Sequence, residues 1–376
     1  MDFDLTVEQK VLQETCARFC DERIKPQAAR MDEAAEFPGE LFGELAELGF
    51  FGLRYPESLG GAGADLVSHC LAISEIARGS LSLAAIAAMQ SLMGTDFLYV
   101  YGNEAVHERL LKPAIAGAKI GAICITEPDA GSDLSAIATW AKKVDGGYRL
   151  SGQKTWITLA PVADFFTVFA RTGEERGLTV FVVEKEYAGV NVGRSIEKMG
   201  CRASPTSEVF FEDCFVPDDH RLGEEGEGER SLRAILADVR IITAALAIGV
   251  GRAALDEAQA YAAERKQFGR PINRFQAIQL KLAEMATDLE ASRHLVHYAA
   301  WLKDNGRPHQ AEAAMAKLFA SERATAICDQ ATRILGSYGY ANEFAAQRYF
   351  RDIRFTLYGG GTSEILKLVI ASEMRA

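Results

Sequence analysis

Long apolar runs are scarce in this 376-residue chain. A helix that crosses a membrane needs roughly 18 to 20 uninterrupted apolar residues. The longest candidate, residues 241–250, is too short and reads as a buried helix. A surplus of positive charge is lacking too: Lys and Arg total 41 against 52 for Asp and Glu, a net charge of −11. Such a surface repels nucleic acid and anionic membrane, though it leaves room for a local basic site that holds a phosphorylated cofactor. The start, Met1-Asp2-Phe3-Asp4, has no basic region like that of a signal peptide, so a cytoplasmic enzyme is expected. The cysteines are seven, an odd number, and scattered. Cys16 and Cys20 stand one helical turn apart with no other Cys or His close in sequence, which favours reduced thiols in helix interiors over a metal site. Glu290, His294 and His297 could share a helix face, but without a further ligand motif no zinc is expected there.

What the chain does have is an ordinary globular composition, 48% hydrophobic and 25% charged. That excludes a disordered tail protein, a collagen and a small disulfide scaffold. The length suggests two or three domains or one large fused unit. Residues 1–119 read as helical, with Val7, Val11, Leu12, Thr15 and Phe19 at three- and four-residue spacing. Gly60, Gly61 and Gly63 mark a turn, followed by long helices at 66–78 and 81–101. Residues 120–227 carry short β-prone segments at 120–126, 142–150, 165–170, 178–183 and 208–211. Asp145-Gly146-Gly147 is a hairpin signal, so a small antiparallel β-domain is expected. Residues 228–376 return to helix, expected at 231–264, 273–303, 308–335, 342–354 and 362–374. Helices, a β-domain, then helices make an α+β arrangement.

Four segments carry chemical information. Thr126-Glu127-Pro128-Asp129-Ala130-Gly131-Ser132-Asp133 ends a strand in a Gly/Ser turn. Its amides and hydroxyls suit an anion or a flavin's polar edge, or else form a β-turn with Asx and Ser caps. Trp156-Ile157-Thr158 offers an aromatic face beside a hydroxyl, suited to a planar heterocycle or to a core strand. Arg265-Lys266-Gln267-Phe268-Gly269-Arg270 sits at a helix break, where Arg265 pairs with phosphate or simply faces solvent. Gly361-Thr362-Ser363-Glu364 caps a C-terminal helix whose amide end faces a phosphate, or is a plain cap.

In this order and at these separations the segments resemble the acyl-CoA dehydrogenase family. Met199-Gly200-Cys201-Arg202-Ala203-Ser204-Pro205-Thr206 and Leu335-Gly336-Ser337-Tyr338-Gly339-Tyr340 add to a resemblance that covers essentially the whole chain. It implies an N-terminal helical domain, a middle β-domain and a C-terminal four-helix bundle. It implies FAD held across a subunit boundary in a homotetramer, an acyl-CoA substrate and an electron-transferring flavoprotein as acceptor. By position, Ile123, Ile125, Thr126, Gly131, Ser132, Trp156 and Thr158 contact the isoalloxazine. Arg265, Phe268 and Gln276 reach a neighbouring subunit's FAD, and Arg333, Leu335, Gly336, Thr362 and Glu364 complete that site. Ser132 and Arg240 match positions near the thioester and the CoA arm. Three departures stand out: Arg333 replaces a usual Gln, Ser337 a usual Gly, and Leu159-Ala160 a usual Asn-Gly.

The family's reaction removes a proton beside the thioester carbonyl and passes a β-hydride to the flavin. The resemblance puts a Glu base just before the Gly-Thr-Ser-Glu segment. Counted without a gap from Arg351-Asp352, that position holds Gly360, and the usual Tyr before it is Gly359. Some members place the Glu just before an arginine that matches Arg240; here that residue is Val239. Glycine has no proton-accepting group, so ordinary α,β-dehydrogenation by that route should be weak. The resemblance also gives the backbone amide at this position a share in polarising the thioester oxygen, and Gly360 keeps it. The run Gly359-Gly360-Gly361 frees volume for a bulky or cyclic acyl group.

A substitute base is sought on the 81–101 helix, which matches one that lines the acyl pocket. Met89, Leu92, Met93 and Asp96 share a face there at helical spacing. Buried, Asp96 would have a raised pKa and serve as base; otherwise it faces solvent or caps a turn. Asp238 is a weaker candidate. The leading expectation is oxidation of a cyclic thioester such as cyclohex-1-ene-1-carboxyl-CoA to a conjugated diene, with Asp96 as the relocated base. Relatives that lack the Glu include desulfinases that use FAD without net oxidation, which would need Arg78 or Arg240 as the sulfinate's cation. An acyl-carrier-protein-linked acyl dehydrogenase and a non-catalytic flavoprotein are the remaining readings.

Overall fold

The computed structural model describes residues 4–173 and 177–374, so Met1 to Phe3 of the acidic start lie outside the described residues. Helix α1 (Val7–Phe19) opens on a capping box in which Thr6 and Gln9 satisfy each other's backbone amides. Helices α2 (Ala28–Ala34) and α3 (Gly39–Glu47) follow, then α4 (Leu66–Gly79), started by Asp65, whose carboxylate accepts from the Ser68 amide at 2.7 Å. Ser80 both ends α4 and caps α5 (Leu81–Ala88).

The single helix expected over 81–101 is interrupted. Met89–Met93 forms a π-turn, the Gly94 amide reaches back to the Met89 carbonyl at 2.8 Å, and α6 (Asp96–Tyr101) begins after it. The physical reason is a backbone-to-backbone approach: a Cβ at Gly94 would sit 2.5 Å from the Gly121 carbonyl oxygen. Asp96 therefore lies beyond a break, and the uninterrupted face of Met89, Leu92, Met93 and Asp96 does not exist. Short turns α7 (Glu104–Val106) and α8 (Lys112–Ile115) lead to the sheet.

Strands β1 (Gly121–Cys124), β2 (Trp140–Val144), β3 (Gly147–Thr158), β4 (Phe165–Thr172), β5 (Gly177–Glu184), β6 (Val190–Ser195), β7 (Thr206–Pro217) and β8 (Arg221–Leu222) form one sheet. Its order is β6-β7-β3-β2-β4-β5-β8, with β1 on β4. Most pairs are antiparallel, but β1 and β4 are parallel from Gly121↔Phe165 to Cys124↔Val168, as are β2 and β4 at Trp140↔Arg171. Residue alternation signals a strand without its direction, and both exceptions join strands separated by long connections. The edge strand β6 is half-buried and polar, and sequence periodicity did not reveal it.

Beyond the sheet, α9 (Gly228–Glu264) is a 37-residue helix, followed by the two-residue strands β9 (Lys266–Gln267) and β10 (Arg270–Pro271). Then come α10 (Gln276–Asp304), α11 (Gln310–Leu335), α12 (Ala346–Asp352), α13 (Phe355–Tyr358) and α14 (Ser363–Glu373). Two stretches, Leu81–Tyr101 and Gly228–Glu264, are apolar enough by hydropathy to span a bilayer, yet 94% and 89% of their apolar windows are buried within this fold. Their hydrophobicity is used against α4 and α11 rather than lipid.

The Arg351-Asp352 pair joins three parts of the chain. Arg351 donates to Asp32 on α2 at 2.5 Å and to the Met199 carbonyl at 2.9 Å. Asp352 accepts from the Cys201 amide at 2.7 Å, and burial pushes its carboxyl up to about 6. The seven cysteines are all buried and none is bonded to another.

Candidate active site

Strand β3 carries register shifts on either side of its centre, one of them between Lys154 and Ile157. That bulge takes Trp156 out of the ladder into a left-handed conformation, φ +59°, with its side chain outward and the residue 58% exposed. An indole held off the ladder, on strained backbone and beside Thr158, is a platform for a flat ring. Next to it runs the segment that continues β1. The Thr155 amide donates to the Thr126 carbonyl at 2.9 Å, bringing Ile125 and Thr126 alongside. Gly131 has open space where a Cβ would stand, and Gly131 and Ser132 are exposed. These features fit the polar edge and face of a flavin.

One buried ion pair, which sequence reading missed, holds this arrangement. The Lys154 ammonium, fully buried, donates to Glu127 at 2.7 Å and to the Ile125 carbonyl at 3.1 Å. Glu127 also accepts from the Ala138 and Thr139 amides at 2.6 and 3.0 Å. Burial works against the Glu127 charge, but Lys154 and these donors more than offset it and hold its pKa down. Lys154→Met should therefore leave Glu127 uncompensated and destabilise the protein by about 3–5 kcal/mol. Urea unfolding with parallel measurement of retained flavin checks this; a variant as stable and as yellow as the parent would refute it.

Arg265 stacks toward Tyr338, its guanidinium carbon 5.7 Å from the ring centroid. Phe268, with φ +51°, is 92% exposed, as is Tyr340. Arg333 extends outward, bonded to Asp329 at 2.7 Å, and with Gly336, Gly339 and Tyr340 lines a cavity of about 820 Å³. Leu335 is buried beneath this face, and Gln276 starts α10. Thr362 caps α14, accepting from the Ile365 amide, with Glu364 in the first turn.

The two positions where the family resemblance puts a base meet in space. Gly360 lies in the left-handed region, φ +72°. A Cβ built on it would stand 3.4 Å from the Thr243 hydroxyl, 3.7 Å from Val239 Cγ1 and 3.9 Å from Arg240 Cα. Neither position holds a carboxylate, and the Gly360 amide donates to no acceptor among the described residues. Cations are present instead. Arg240 is buried, and its Nε reaches the Gly360 carbonyl at 3.5 Å with no carboxylate in ion-pair range among the described residues. Burial alone depresses its pKa. Lys317 on α11, fully buried, donates to the Gly361 carbonyl at 2.6 Å.

Asp96 is buried, but not free. One of its oxygens accepts from the Arg54 guanidinium and from the Tyr55 hydroxyl at 2.9 Å, while Tyr55 lies 2.6 Å from the Thr95 hydroxyl. Burial raises the Asp96 carboxyl above the usual carboxylate range, as expected for a buried acid, and Arg54 and Tyr55 offset that only in part. Asp238 faces Lys303 at 3.2 Å and His309 at 3.4 Å; burial opposes its charge, and these partners outweigh that and hold it low. Met89 is buried and Met93 partly so. Arg78 is committed to Glu75 and Asp21, each at 2.7 Å, which removes it as a sulfinate ligand. His294 pairs with Glu290 at 3.0 Å, and no cluster of three metal-ligating residues occurs among the described residues.

The models described as acyl-CoA dehydrogenase N-terminal, middle and C-terminal domains match residues 6–118, 122–214 and 226–375. Benzylmalonyl-CoA dehydrogenase of Aromatoleum aromaticum is 68% identical over 375 residues, 100% of each chain. The solved butyryl-CoA dehydrogenase of Megasphaera elsdenii superposes with a TM-score of 0.97 at 36% identity over 100% of both chains. The structure of PigA with FAD and proline superposes at 0.97 and 30% identity, covering 100% of this chain and 99% of that one.

Proposed function

Since the chain belongs to the acyl-CoA dehydrogenase family, FAD-dependent oxidoreductases of the acyl-CoA CH–CH bond, we propose that its particular substrate carries a carboxylate on Cα, as an arylmethylmalonyl-CoA does. The observation that carries this reading is the pairing of two positions without a carboxylate, Gly360 and Val239, with a buried Arg240 that has no acid in ion-pair range among the described residues. A base is needed when Cα must lose a proton. A Cα carboxylate makes it unnecessary, because the Cα–carboxyl bond can break instead.

The Cα–carboxylate bond breaks, CO2 leaves, and the electron pair stays as an enolate on the thioester. That pair closes the Cα=Cβ bond while a hydride leaves Cβ. A bound FAD supplies the hydride acceptor. Arg240 pairs with the carboxylate and orients its bond across the enolate plane. The Gly360 amide holds the thioester oxygen as charge develops there. The three-glycine turn leaves room for a bulky acyl group, and Met89 and Met93 offer soft sulfur to an aryl ring on Cβ. The relative named for benzylmalonyl-CoA supports both the carboxylate and the aryl group.

The cyclic reading, with Asp96 acting on cyclohex-1-ene-1-carboxyl-CoA, keeps one support: Asp96 is buried close in sequence to the Met89–Met93 turn. Against it, the carboxylate is already engaged by the Arg54 guanidinium and the Tyr55 hydroxyl, and would have to give up these partners to reach a ring proton. The holoprotein should convert benzylmalonyl-CoA to cinnamoyl-CoA and CO2, one for one with reduction of an artificial acceptor. It should leave butyryl-CoA and 3-phenylpropanoyl-CoA essentially untouched. Turnover of cyclohex-1-ene-1-carboxyl-CoA that disappears in Asp96→Asn, with no CO2 from benzylmalonyl-CoA, would establish the cyclic reading instead. Sulfite release without acceptor reduction would point to a desulfinase. The exposed Phe268, Tyr340 and Arg333 support a homotetramer in which this face meets a neighbour's FAD, with an electron-transferring flavoprotein as acceptor.

A further inference from the structure

Lys317 is a fully buried ammonium with no carboxylate in ion-pair range among the described residues. Burying an unpaired cation is costly, so its place calls for a physical reason. Through three residues, helix α11 grips the stretch that runs from α13 to the start of α14. Lys317 donates to the Gly361 carbonyl at 2.6 Å and, more weakly, to the Leu357 carbonyl at 3.4 Å. Ser321 donates to the Thr356 carbonyl at 3.0 Å, and Glu322 accepts from the Ser363 hydroxyl at 2.6 Å. Helix α9 meets the same segment through Val239, Arg240 and Thr243. A cation from each helix thus converges on a glycine turn that has no anion of its own.

We infer that Lys317 is a positioning residue for the reaction: from α11 it fixes the 357–361 turn so that the Gly360 amide meets the thioester oxygen, and with Arg240 it makes that turn attractive to the substrate's α-carboxylate. The second half rests on the reading of an α-carboxylated substrate given above; the first does not. The groups facing Lys317 are Arg240 from α9, Glu322 from its own helix and the two carbonyls of the turn. Burial first, then Arg240, brings its ammonium down to about 8 from the usual 10.5. The charge is present below that pH and is lost above it, so affinity for a carboxylated thioester should fall as pH rises through about 8. The limit is roughly tenfold per pH unit.

The test compares FAD-loaded parent, Lys317→Met, Lys317→Gln and Lys317→Arg, with flavin content and circular dichroism as folding checks. For the parent, KM for benzylmalonyl-CoA should rise about tenfold from pH 7.5 to 9.5, while binding of 3-phenylpropanoyl-CoA, read from the flavin absorbance shift, stays constant. Lys317→Arg should keep low KM and flatten the pH dependence. Lys317→Met and Lys317→Gln should raise KM at least tenfold at pH 7.5 and lose most of the flavin absorbance shift with 3-phenylpropanoyl-CoA. Parent-like KM, pH profile and absorbance shift in folded Lys317→Met or Lys317→Gln would overturn the inference. Failure of the parent to release CO2 at any pH would reject the carboxylate half, and the absorbance shift alone would then decide the turn-fixing half.

Discussion

With the proposed α-carboxylated substrate, replacing Gly360 with Glu should shift the chemistry from decarboxylation to proton abstraction. The new carboxylate would stand over the position that Val239 and Thr243 line, where the family resemblance puts a base. General-base catalysis contributes typically 10²- to 10⁴-fold, so oxidation of 3-phenylpropanoyl-CoA should rise from background by about that factor. Turnover of benzylmalonyl-CoA should fall at least 10²-fold, because two carboxylates would compete for Arg240. The substitution carries a backbone cost, since φ is +72° at Gly360 and a side chain in that region costs roughly 1–2 kcal/mol. Val239→Glu avoids that strain, lying within helix α9 only 3.7 Å from the same point. Acceptor reduction with both substrates measures the switch. If neither variant gains activity on 3-phenylpropanoyl-CoA while both still bind FAD, the vacant base position is not what selects the substrate.

Arg240→Gln should cost about 10²-fold in kcat/KM for benzylmalonyl-CoA, the roughly 3 kcal/mol of a buried, charge-assisted hydrogen bond. Affinity for 3-phenylpropanoyl-CoA should change less than threefold. Arg240→Lys should recover part of the loss, since it keeps the charge but not the planar fork. Folding stability should not fall, because the substitution removes a buried cation that has no acidic partner among the described residues. Equal losses on both thioesters would show that Arg240 holds the CoA portion or the fold rather than the carboxylate. Because Arg240 and Lys317 share the turn, their effects should not add, and a double-mutant cycle would measure the coupling.

Much of the fold and part of the site are legible in the order of residues alone. Helical spacing from Val7 to Phe19, the hairpin signal at Asp145-Gly146-Gly147 and the apolar length of α9 are local properties, and they emerge in the structure near the expected positions. The Trp156 segment and the glycine at the position where the family resemblance puts a base are legible for the same reason: they stand at fixed offsets within one stretch of chain. The seating of Trp156 on a left-handed bulge is not, because a bulge depends on the partner strand β7.

The surroundings of Asp96 are not legible from helical spacing, which holds only along a continuous helix. The approach of Gly94 to the Gly121 backbone breaks that helix, and Arg54, 42 residues away, holds the carboxylate. Lys154 with Glu127 and Lys317 with Gly361 are likewise pairs separated by 27 and 44 residues. By itself the sequence determined that a three-glycine run stands where the family resemblance puts the proton acceptor. Only the tertiary structure decided that Gly360 and Val239 converge and that buried cations stand beside them. Side-chain periodicity reports which face of an element is buried, whereas charge pairing is set by which elements the fold brings together.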